Sequence, residues 1–238
     1  MKDFKVLKAR AKADNVIEVD IYGDIIATES EQTSYEDVTP LYIKDFLAFA
    51  GNRELEININ SLGGDVNAGI AIYNMLKNYK NTKRVYVQGI AGSISSVIAM
   101  AGDEIYMADN AQLMIHRAWC IQAGNAQEMQ KAVDFLNKLD GIIADVYMTK
   151  VTKKDVTRYD ILNMMSDETW LTGVEASKIF DIKLSGAQQV YAKAGDISRL
   201  KKMPDSVKAM LLNEQKEKEK QLEIEKEKLN LLLLTKGA

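Results

Sequence analysis

Before Ser185 the sequence alternates between two hydrophobic periods, and this alternation constrains the fold more than any other feature. Strand-like patterns, with apolar residues alternating or in β-branched runs, lie at residues 16–25, 54–60, 84–90, 104–109 and 111–118. Helical spacing of apolar residues is found at residues 35–51, 65–80, 93–102 and 126–150. Strands that alternate with helices predict an α/β fold whose parallel strands are joined by right-handed crossovers.

The end of the sequence has a different composition. From Asp205 onward it consists of good helix formers, and Lys and Glu alternate between Glu214 and Lys228. This pattern predicts a long helix that projects from the body, with a frayed, partly disordered tail as the alternative. The predicted regions are an N-terminal extension, a main domain, a linker and a charged helical tail, at residues 1–15, 16–190, 191–204 and 205–238.

Composition excludes several classes of protein. The single cysteine, Cys120, cannot form an internal disulfide, and no cysteine–histidine cluster exists for a metal site, so we expect neither metal nor cofactor. The N-terminus has no apolar run of signal-peptide length, and no run approaches the roughly 20 residues of a membrane span. The formal charge of −3 argues against broad polyanion binding. We therefore expect a cytoplasmic protein that binds neither nucleic acid nor membranes.

Three segments carry residues suited to chemistry. Gly63 and Gly64 stand between a strand and a helix, where they leave backbone N–H groups unshielded. Ser93 follows a strand at the start of a helix, where the dipole and neighbouring N–H groups favour an oxyanion. His116 ends an apolar strand and is the single histidine, so any mechanism that needs an imidazole base must use it.

Each of these segments also has a structural explanation. The glycines are compatible with a plain turn, the serine with a helix N-cap, and the histidine with a satisfied polar residue. Ser95 and Ser96 lie in the same turn as Ser93, and periodicity does not rank the three. Asp167 and Glu168 precede an aromatic residue, and either carboxylate could orient the histidine as the third member of a triad does. The capping-box spacing of Thr172 and Glu175 gives that segment a structural role as well.

The order of the segments resembles the Clp protease proteolytic subunit family over roughly residues 16–185. INSLGG, GIAGSIS, MIHRA, a long helix and DETWLTGVEA follow one another as the corresponding motifs do in that family. The resemblance implies that Ser93 is the nucleophile, His116 the base and Glu168 the acid. It also implies oxyanion donors at the N–H groups of Gly64 and Ile94, with Gly63 beside them.

The same resemblance implies an architecture. The expected fold is the Clp/crotonase-like α/β superfold with repeated β-β-α units, a protruding "handle" helix and, here, a long charged C-terminal helix. The handle falls on residues 126–150, whose apolar stripe is Met129, Val133, Leu136, Leu139, Ile143 and Val146. In the family this helix interdigitates between stacked rings, so a homo-oligomeric ring that acts on protein or peptide substrates is expected.

The sequence departs from the family pattern at several positions. Leu62 replaces a proline, Arg117-Ala118 replace glutamine-proline, and the acid is a glutamate, which leaves Asp167 open as the third member. Residues 1–15 contain no recognisable ATPase-docking loop, and the charged tail has no counterpart in the housekeeping enzyme. Both features look like the Clp-like proteases that tailed bacteriophages encode beside their capsid genes.

The sequence thus predicts a serine endopeptidase that processes phage capsid or scaffold proteins during head maturation, in the cytoplasm of a bacterial host. Capsid or scaffold proteins would bind the C-terminal helix. Truncation after Lys201 is then expected to leave activity on small substrates largely intact. The alternatives are a non-catalytic assembly protein that keeps the fold and a crotonase-type acyl-CoA enzyme, because fold alone does not fix chemistry.

Overall fold

A sheet of eight strands lies at the centre of the residues that the structure describes, which are 9–13, 15–186, 202–205, 207–209 and 211. In this computed structural model the strands are β1 (Ala9–Ala13), β2 (Val16–Ile21), β3 (Glu54–Ser61), β4 (Lys83–Gly92), β5 (Glu104–Met107), β6 (Gln112–Ile115), β7 (Thr169–Thr172) and β8 (Lys183–Leu184). The helices are α1 (Pro40–Ala50), α2 (Val66–Asn78), α3 (Ile94–Ala99), α4 (Ala126–Met148), α5 (Arg158–Ser166) and α6 (Gly173–Ala176), with a 3₁₀ turn at Glu29–Glu31.

The strand order is β1-β2-β3-β4-β5-β8, and β6 pairs with both β4 and β7. Strands β2 to β5 are parallel neighbours, whereas β1–β2 and β6–β7 are antiparallel pairs. The fold is therefore mixed α/β, as the alternating hydrophobic periods predict. Inward side chains of β2, β3 and β4, such as Ile17, Ile57 and Val85, are completely buried beneath helices.

Strand β4 determines where a site can form. Its first half pairs with β5, and its last residues pair with β6, with Gly92 opposite Met114. Because β5 and β6 follow one another along the same edge of β4, the chain returns beside the end of that strand. The residues that follow β4 and β6, Ser93 and His116, are brought together by this register.

Helix α4 is 23 residues long and begins at a capping box formed by Asn125 and Glu128. Its second half packs on the body through Leu139, Ile143 and Tyr147, which are buried. Its first half contains no buried side chain, and Val133 is 48% exposed. The predicted apolar stripe is thus divided between a half that joins the core and a half that no described residue covers.

The N-terminal boundary of the sheet differs from the predicted one. Residues 9–13, placed by sequence in the N-terminal extension, form β1 and pair with β2. The segment ARAKA alternates alanine with basic residues, but alanine is a weak strand former, so its apolar signal is small. Charge supports the pairing, since Arg10 lies against Glu18 and Asp20. Such a strand cannot be recognised from hydrophobic periodicity alone.

The start of the predicted tail is corrected by the structure. Residues 205, 207–209 and 211 are helical, but Met203, Val207 and Leu211 are buried against the body instead of projecting from it. The spacing of four residues places Val207 and Leu211 on one side of the helix, and Met203 lies just before it. The charged run that follows obscures this pattern in the sequence. The rest of the predicted tail, and the linker before Lys202, lie outside the described residues.

Within the described part of the chain, no helix has both the length and the apolar character to cross a membrane.

Candidate active site

The turn at Ser93 is strained in a way that a simple helix cap is not. Ser93 follows β4 and has φ 53° and ψ −129°, a left-handed backbone that non-glycine residues rarely adopt. Its N–H donates to the carbonyl of Met114 at 2.9 Å, which ties the turn to β6. Ser93 occupies the N-cap position of α3, yet its side chain makes no capping hydrogen bond. The N-cap explanation therefore does not account for this serine.

The Ser93 hydroxyl lies instead against the single histidine. Ser93 Oγ and His116 Nε2 are 2.6 Å apart, and the hydroxyl donates when the imidazole carries its proton on Nδ1. Burial lowers the pKa of His116 below its usual value, while the charges of Glu168 and Asp140 act in the opposite direction. The imidazole is therefore neutral at neutral pH, which is the form that accepts a proton from a nucleophile.

The neighbouring serines have structural roles. Ser95 is fully buried, and its single hydroxyl proton is shared between the carbonyl oxygens of Ser61 and Gly92, both at 2.7 Å. Ser96 is also fully buried; its hydroxyl donates to the carbonyl of Ser93 at 2.5 Å and accepts from the hydroxyl of Tyr147 at 2.6 Å. The structure thus ranks the three serines that periodicity leaves equal, and it leaves Ser93 as the one whose hydroxyl contacts an imidazole.

The two candidate acids occupy different environments. Glu168 lies between α5 and β7 with φ 50°, and its charge raises the pKa of His116. Asp167 is the C-cap of α5, its side chain is 74% exposed, and its carboxylate lies 3.5 Å from Lys202 Nζ. The carboxylates whose charges raise the pKa of His116 are Glu168 and Asp140, and Asp167 is not among them. These differences favour Glu168 over Asp167 as the third member, and that assignment stays a prediction.

Asp140 is a further carboxylate that the sequence patterns do not single out. It lies on α4, is 3% exposed, and accepts hydrogen bonds from the N–H of Ala118 at 2.8 Å and from Arg117 Nη1 at 3.1 Å. Arg117 also reaches Ser166 on α5 through Nε at 2.7 Å. A proline at position 118 would have no N–H to donate, so this contact depends on one of the departures from the family pattern. An acid beside the apolar stripe of an amphipathic helix is the signal that could have revealed it.

The glycine turn fits against the nucleophile because it has no side chains. A Cβ on Gly63 would lie 2.7 Å from the Cβ of Ser93, and one on Gly64 would lie 2.1 Å from the carbonyl oxygen of Ile25. Both glycines have positive φ, at 103° and 149°. The Gly63 carbonyl accepts from Ile25 N at 2.9 Å, which fixes the turn. Ile94 is the first residue of α3, where an N–H has no partner within the helix. The roles of the Gly64 and Ile94 N–H groups as oxyanion donors stay predictions.

A cavity of about 430 Å³ opens beside these residues. Its walls are the glycine turn, Ser93 and Ile94, the segment from His116 to Cys120, and the apolar side of α4. The α4 residues that face it are mainly apolar: Phe135, Leu136, Leu139, Ile143 and Tyr147. In the described residues, no group of three or more His, Cys, Asp or Glu side chains is placed to hold a metal ion. The site can therefore position an apolar group next to a serine hydroxyl and an imidazole.

Comparison with known proteins gives a family match over most of the chain. The model of the family described as Clp protease matches residues 20–179. The ATP-dependent Clp protease proteolytic subunit of Deinococcus radiodurans is 29% identical over 128 residues, which cover 53% of this chain and 61% of that protein. The subunits of the same name from Ligilactobacillus salivarius and Streptococcus salivarius are each 31% identical, over 96 and 101 residues. These matches cover 40% and 39% of this chain and 49% and 52% of those proteins. The chain thus spans about half to three fifths of the length of these curated relatives.

Proposed function

The chain belongs to the Clp protease family, and from this premise we propose that it is a serine endopeptidase that hydrolyses peptide bonds with Ser93, His116 and Glu168. The observation that carries the proposal is the 2.6 Å contact between Ser93 Oγ and His116 Nε2. The strained backbone of Ser93 supports the proposal, because a positive φ at a non-glycine residue costs free energy and such residues cluster at active sites.

The proposed chemistry proceeds in two halves. Ser93 Oγ attacks the scissile carbonyl carbon while His116 Nε2 takes the hydroxyl proton, and the carbonyl oxygen becomes an oxyanion. The N–H groups of Gly64 and Ile94 donate to that oxyanion, and Glu168 stabilises the imidazolium. The imidazolium then gives its proton to the leaving amine nitrogen as the C–N bond breaks. A water molecule, activated by the neutral imidazole, hydrolyses the acyl-enzyme and restores Ser93.

The cavity supports a class of substrate. Its wall on α4 consists mainly of apolar side chains, including Phe135, Leu139 and Ile143. Burial of an apolar group there removes surface from water on both partners, which favours binding. We expect peptides with an apolar side chain next to the scissile bond to be cleaved faster than peptides with a charged one.

The exposed half of α4 supports the proposed ring. Met129, Val133 and Phe135 are each about half exposed in the single chain, and all three lie in that half. Met129 and Val133 are four residues apart and share one face of the helix, whereas Phe135 lies toward the cavity. Exposed apolar side chains on one helix face are typical of a surface that binds another protein. We propose that this half of α4 packs against a second copy of the chain, as the handle of a homo-oligomer.

The finer biological role is also a proposal. We infer that the substrates are phage capsid or scaffold proteins and that the enzyme works in the cytoplasm of a bacterial host. Support comes from the sequence: residues 1–15 contain no recognisable ATPase-docking loop, and the charged run from Glu214 to Lys228 differs from the housekeeping enzyme. This role can be tested by incubating capsid precursors with the wild-type chain or with Ser93→Ala and measuring their intact mass. Cleavage at defined sites should require Ser93.

A fluorophosphonate that reacts with activated serines tests the proposed activity itself. The wild-type chain should gain one adduct per subunit by intact mass, and the adduct should map to Ser93. Ser177→Ala is the control, because the Ser177 hydroxyl donates to Val174 and does not line the cavity, and this variant should still be labelled. An unlabelled wild-type chain would favour the non-catalytic assembly protein, and Ser93-independent hydrolysis of an acyl-CoA would favour the crotonase-type enzyme.

A further inference from the structure

We propose that the start of the tail, described at residues 202–205, 207–209 and 211, is a docked segment that positions Glu168 for His116. The segment would be part of the active-site architecture, and residues after Leu211 would be the part available to other partners. This inference rests on the proposed function, since it concerns the acid of the same triad. Two contacts and the backbone conformation of Glu168 carry it.

The first contact is a hydrogen bond to the carboxylate. The backbone N–H of Lys202 donates to Glu168 Oε1 at 2.8 Å. A hydrogen bond to an ionised carboxylate is stronger than one between neutral groups, and it fixes the orientation of the carboxylate plane. The Lys202 ammonium also lies 3.5 Å from Asp167 Oδ1, but this pair is exposed and contributes little. The main chain of Lys202, more than its charge, restrains the acid.

The second contact is apolar and lies under the segment. Met203, Val207 and Leu211 form a small cluster with Ile90, and Leu62 and Trp170 pack against it. This cluster is separate from the main core of the described residues. Ile90 is fully buried, so removal of the segment would expose it to water.

The partners in that cluster lie in the segments that carry the site. Ile90 stands in β4 three residues before Ser93, and Leu62 immediately precedes Gly63. Trp170 follows Glu168 by two residues in β7. The docked segment therefore contacts three parts of the site at once: β4, which leads to Ser93, the glycine turn, and β7, which follows Glu168. A linker that only joined the body to a helix would not need buried contacts with Ile90, Leu62 and Trp170.

The third observation is the backbone of Glu168. Its φ of 50° is unfavourable for a residue with a side chain, so the conformation persists only where surrounding contacts determine it. Two contacts come from its own neighbourhood, since Glu168 N–H donates to Met165 O at 3.3 Å and Thr169 Oγ1 donates to Met164 O at 2.7 Å. The contact from Lys202 comes from outside this turn. Loss of the segment should therefore let Glu168 relax away from the imidazole.

The inference reverses an expectation from the sequence. Truncation after Lys201 should lower activity on small peptides, because it removes the donor to Glu168 and the apolar cluster together. Truncation after Leu211 should leave that activity in place, because the docked segment remains.

Val207→Asp tests the docking, and Ala209→Asp is its matched control, because Val207 is buried and Ala209 is exposed two residues away. Val207→Asp should lower kcat by about 100-fold with KM little changed, since misplacement of a catalytic group by an ångström costs about that much. The pKa of His116, measured by NMR on the single imidazole, should fall as the carboxylate moves away. Ala209→Asp should match the wild type in both. A wild-type kcat and a wild-type His116 pKa in Val207→Asp would overturn the inference.

Lys202→Pro gives a second test that keeps the apolar cluster. Proline removes the N–H that donates to Glu168, whereas Lys202→Ala removes only the exposed ammonium. Lys202→Pro should show the same loss of kcat and the same downward pKa shift, and Lys202→Ala should stay much closer to the wild type. Equal behaviour of the two variants would contradict a role for the N–H.

A double-mutant cycle separates positioning from general destabilisation. In a Glu168→Gln background, Val207→Asp should cause no further shift of the His116 pKa, because the charge that the segment positions is gone. Independent, additive shifts would show that the segment acts elsewhere. The imidazole titration needs no turnover, so it tests the docking even if the wild-type chain proves to have no Ser93-dependent hydrolysis, which would defeat the proposed function alone.

Discussion

At the residue scale, the backbone itself marks the site. Among the described residues, the non-glycine residues with positive φ are Ser93 and Glu168. One of them contacts His116 through its hydroxyl, and the other shifts the pKa of His116 by its charge. A strained backbone persists only where surrounding contacts hold it, and such residues cluster at functional sites. The two outliers and the single imidazole thus point to one chemical unit.

The choice between the two acids can be measured. Glu168→Gln should lower kcat/KM by about 10⁴-fold, the loss seen when a triad acid becomes an amide and the histidine adopts the wrong tautomer. Asp167→Asn should change it by about threefold at most, because an exposed pair with a lysine contributes little. Steady-state hydrolysis of one fluorogenic peptide by both variants decides the matter. The reverse order of effects would assign the acid to Asp167.

Asp140 gives a prediction about pH. Its negative charge favours the protonated imidazole, so Asp140→Asn should lower the pKa of His116 further. The acid limb of kcat/KM, below which the base is protonated, should move to lower pH. Activity at neutral pH should persist, because the asparagine oxygen can still accept from Ala118.

The matched control for this measurement is Asp145→Asn on the same helix, where the carboxylate is exposed and pairs with Arg158. Its pH profile should coincide with the wild type. An acid limb that moves to higher pH in Asp140→Asn would contradict the assigned effect of Asp140.

At the scale of elements, the predictable part of the fold was the part with strong periodicity. Strands β2 to β6 and helices α1 to α4 lie within or close to the predicted ranges, because their apolar residues recur at periods of two or near 3.6. Helix α5 is short and only weakly patterned, and the apolar residues of β1 are all alanine, a weak strand former, so neither element is predicted. The Ser93–His116 contact itself depends on the switch of β4 from β5 to β6, a long-range register that local sequence does not contain.

Helix α4 carries a prediction about assembly. Val133→Glu should shift the oligomer toward monomers, since a charge buried without a partner costs roughly 3–5 kcal/mol at an interface. The monomer should still fold, because Val133 is 48% exposed in the single chain. Val133 is a better probe than Leu136, which lines the cavity beside the triad. Sedimentation velocity at micromolar concentration measures the shift.

Lys138→Glu on the same helix is the control for charge, because Lys138 is exposed. It should sediment like the wild type. A Val133→Glu chain with an unchanged sedimentation coefficient would show that this half of α4 is not an interface between copies.

At the scale of the whole molecule, the site is assembled from distant parts of the chain. The glycine turn, Ser93, His116, Asp140 and Glu168 come from different elements, and the docked segment adds contacts from beyond residue 200. The sequence motifs include four of these contributions: the glycine turn, Ser93, His116 and Glu168. The motifs do not include Asp140, whose signal is only an acid beside an apolar helical stripe. They do not include the docked segment either, because three apolar residues before a charged run have no distinctive local pattern.

The most direct test of the account is hydrolysis of an apolar fluorogenic peptide by the wild-type chain and by Ser93→Ala, purified side by side. We predict a saturable wild-type activity that Ser93→Ala lowers by about 10⁶-fold, the scale of loss when a serine nucleophile is removed from a triad. Circular dichroism should show the same fold for both chains. Equal hydrolysis by the two chains, or none by a folded wild-type oligomer, would contradict the assignment of Ser93 and His116 as a peptide-hydrolysing pair.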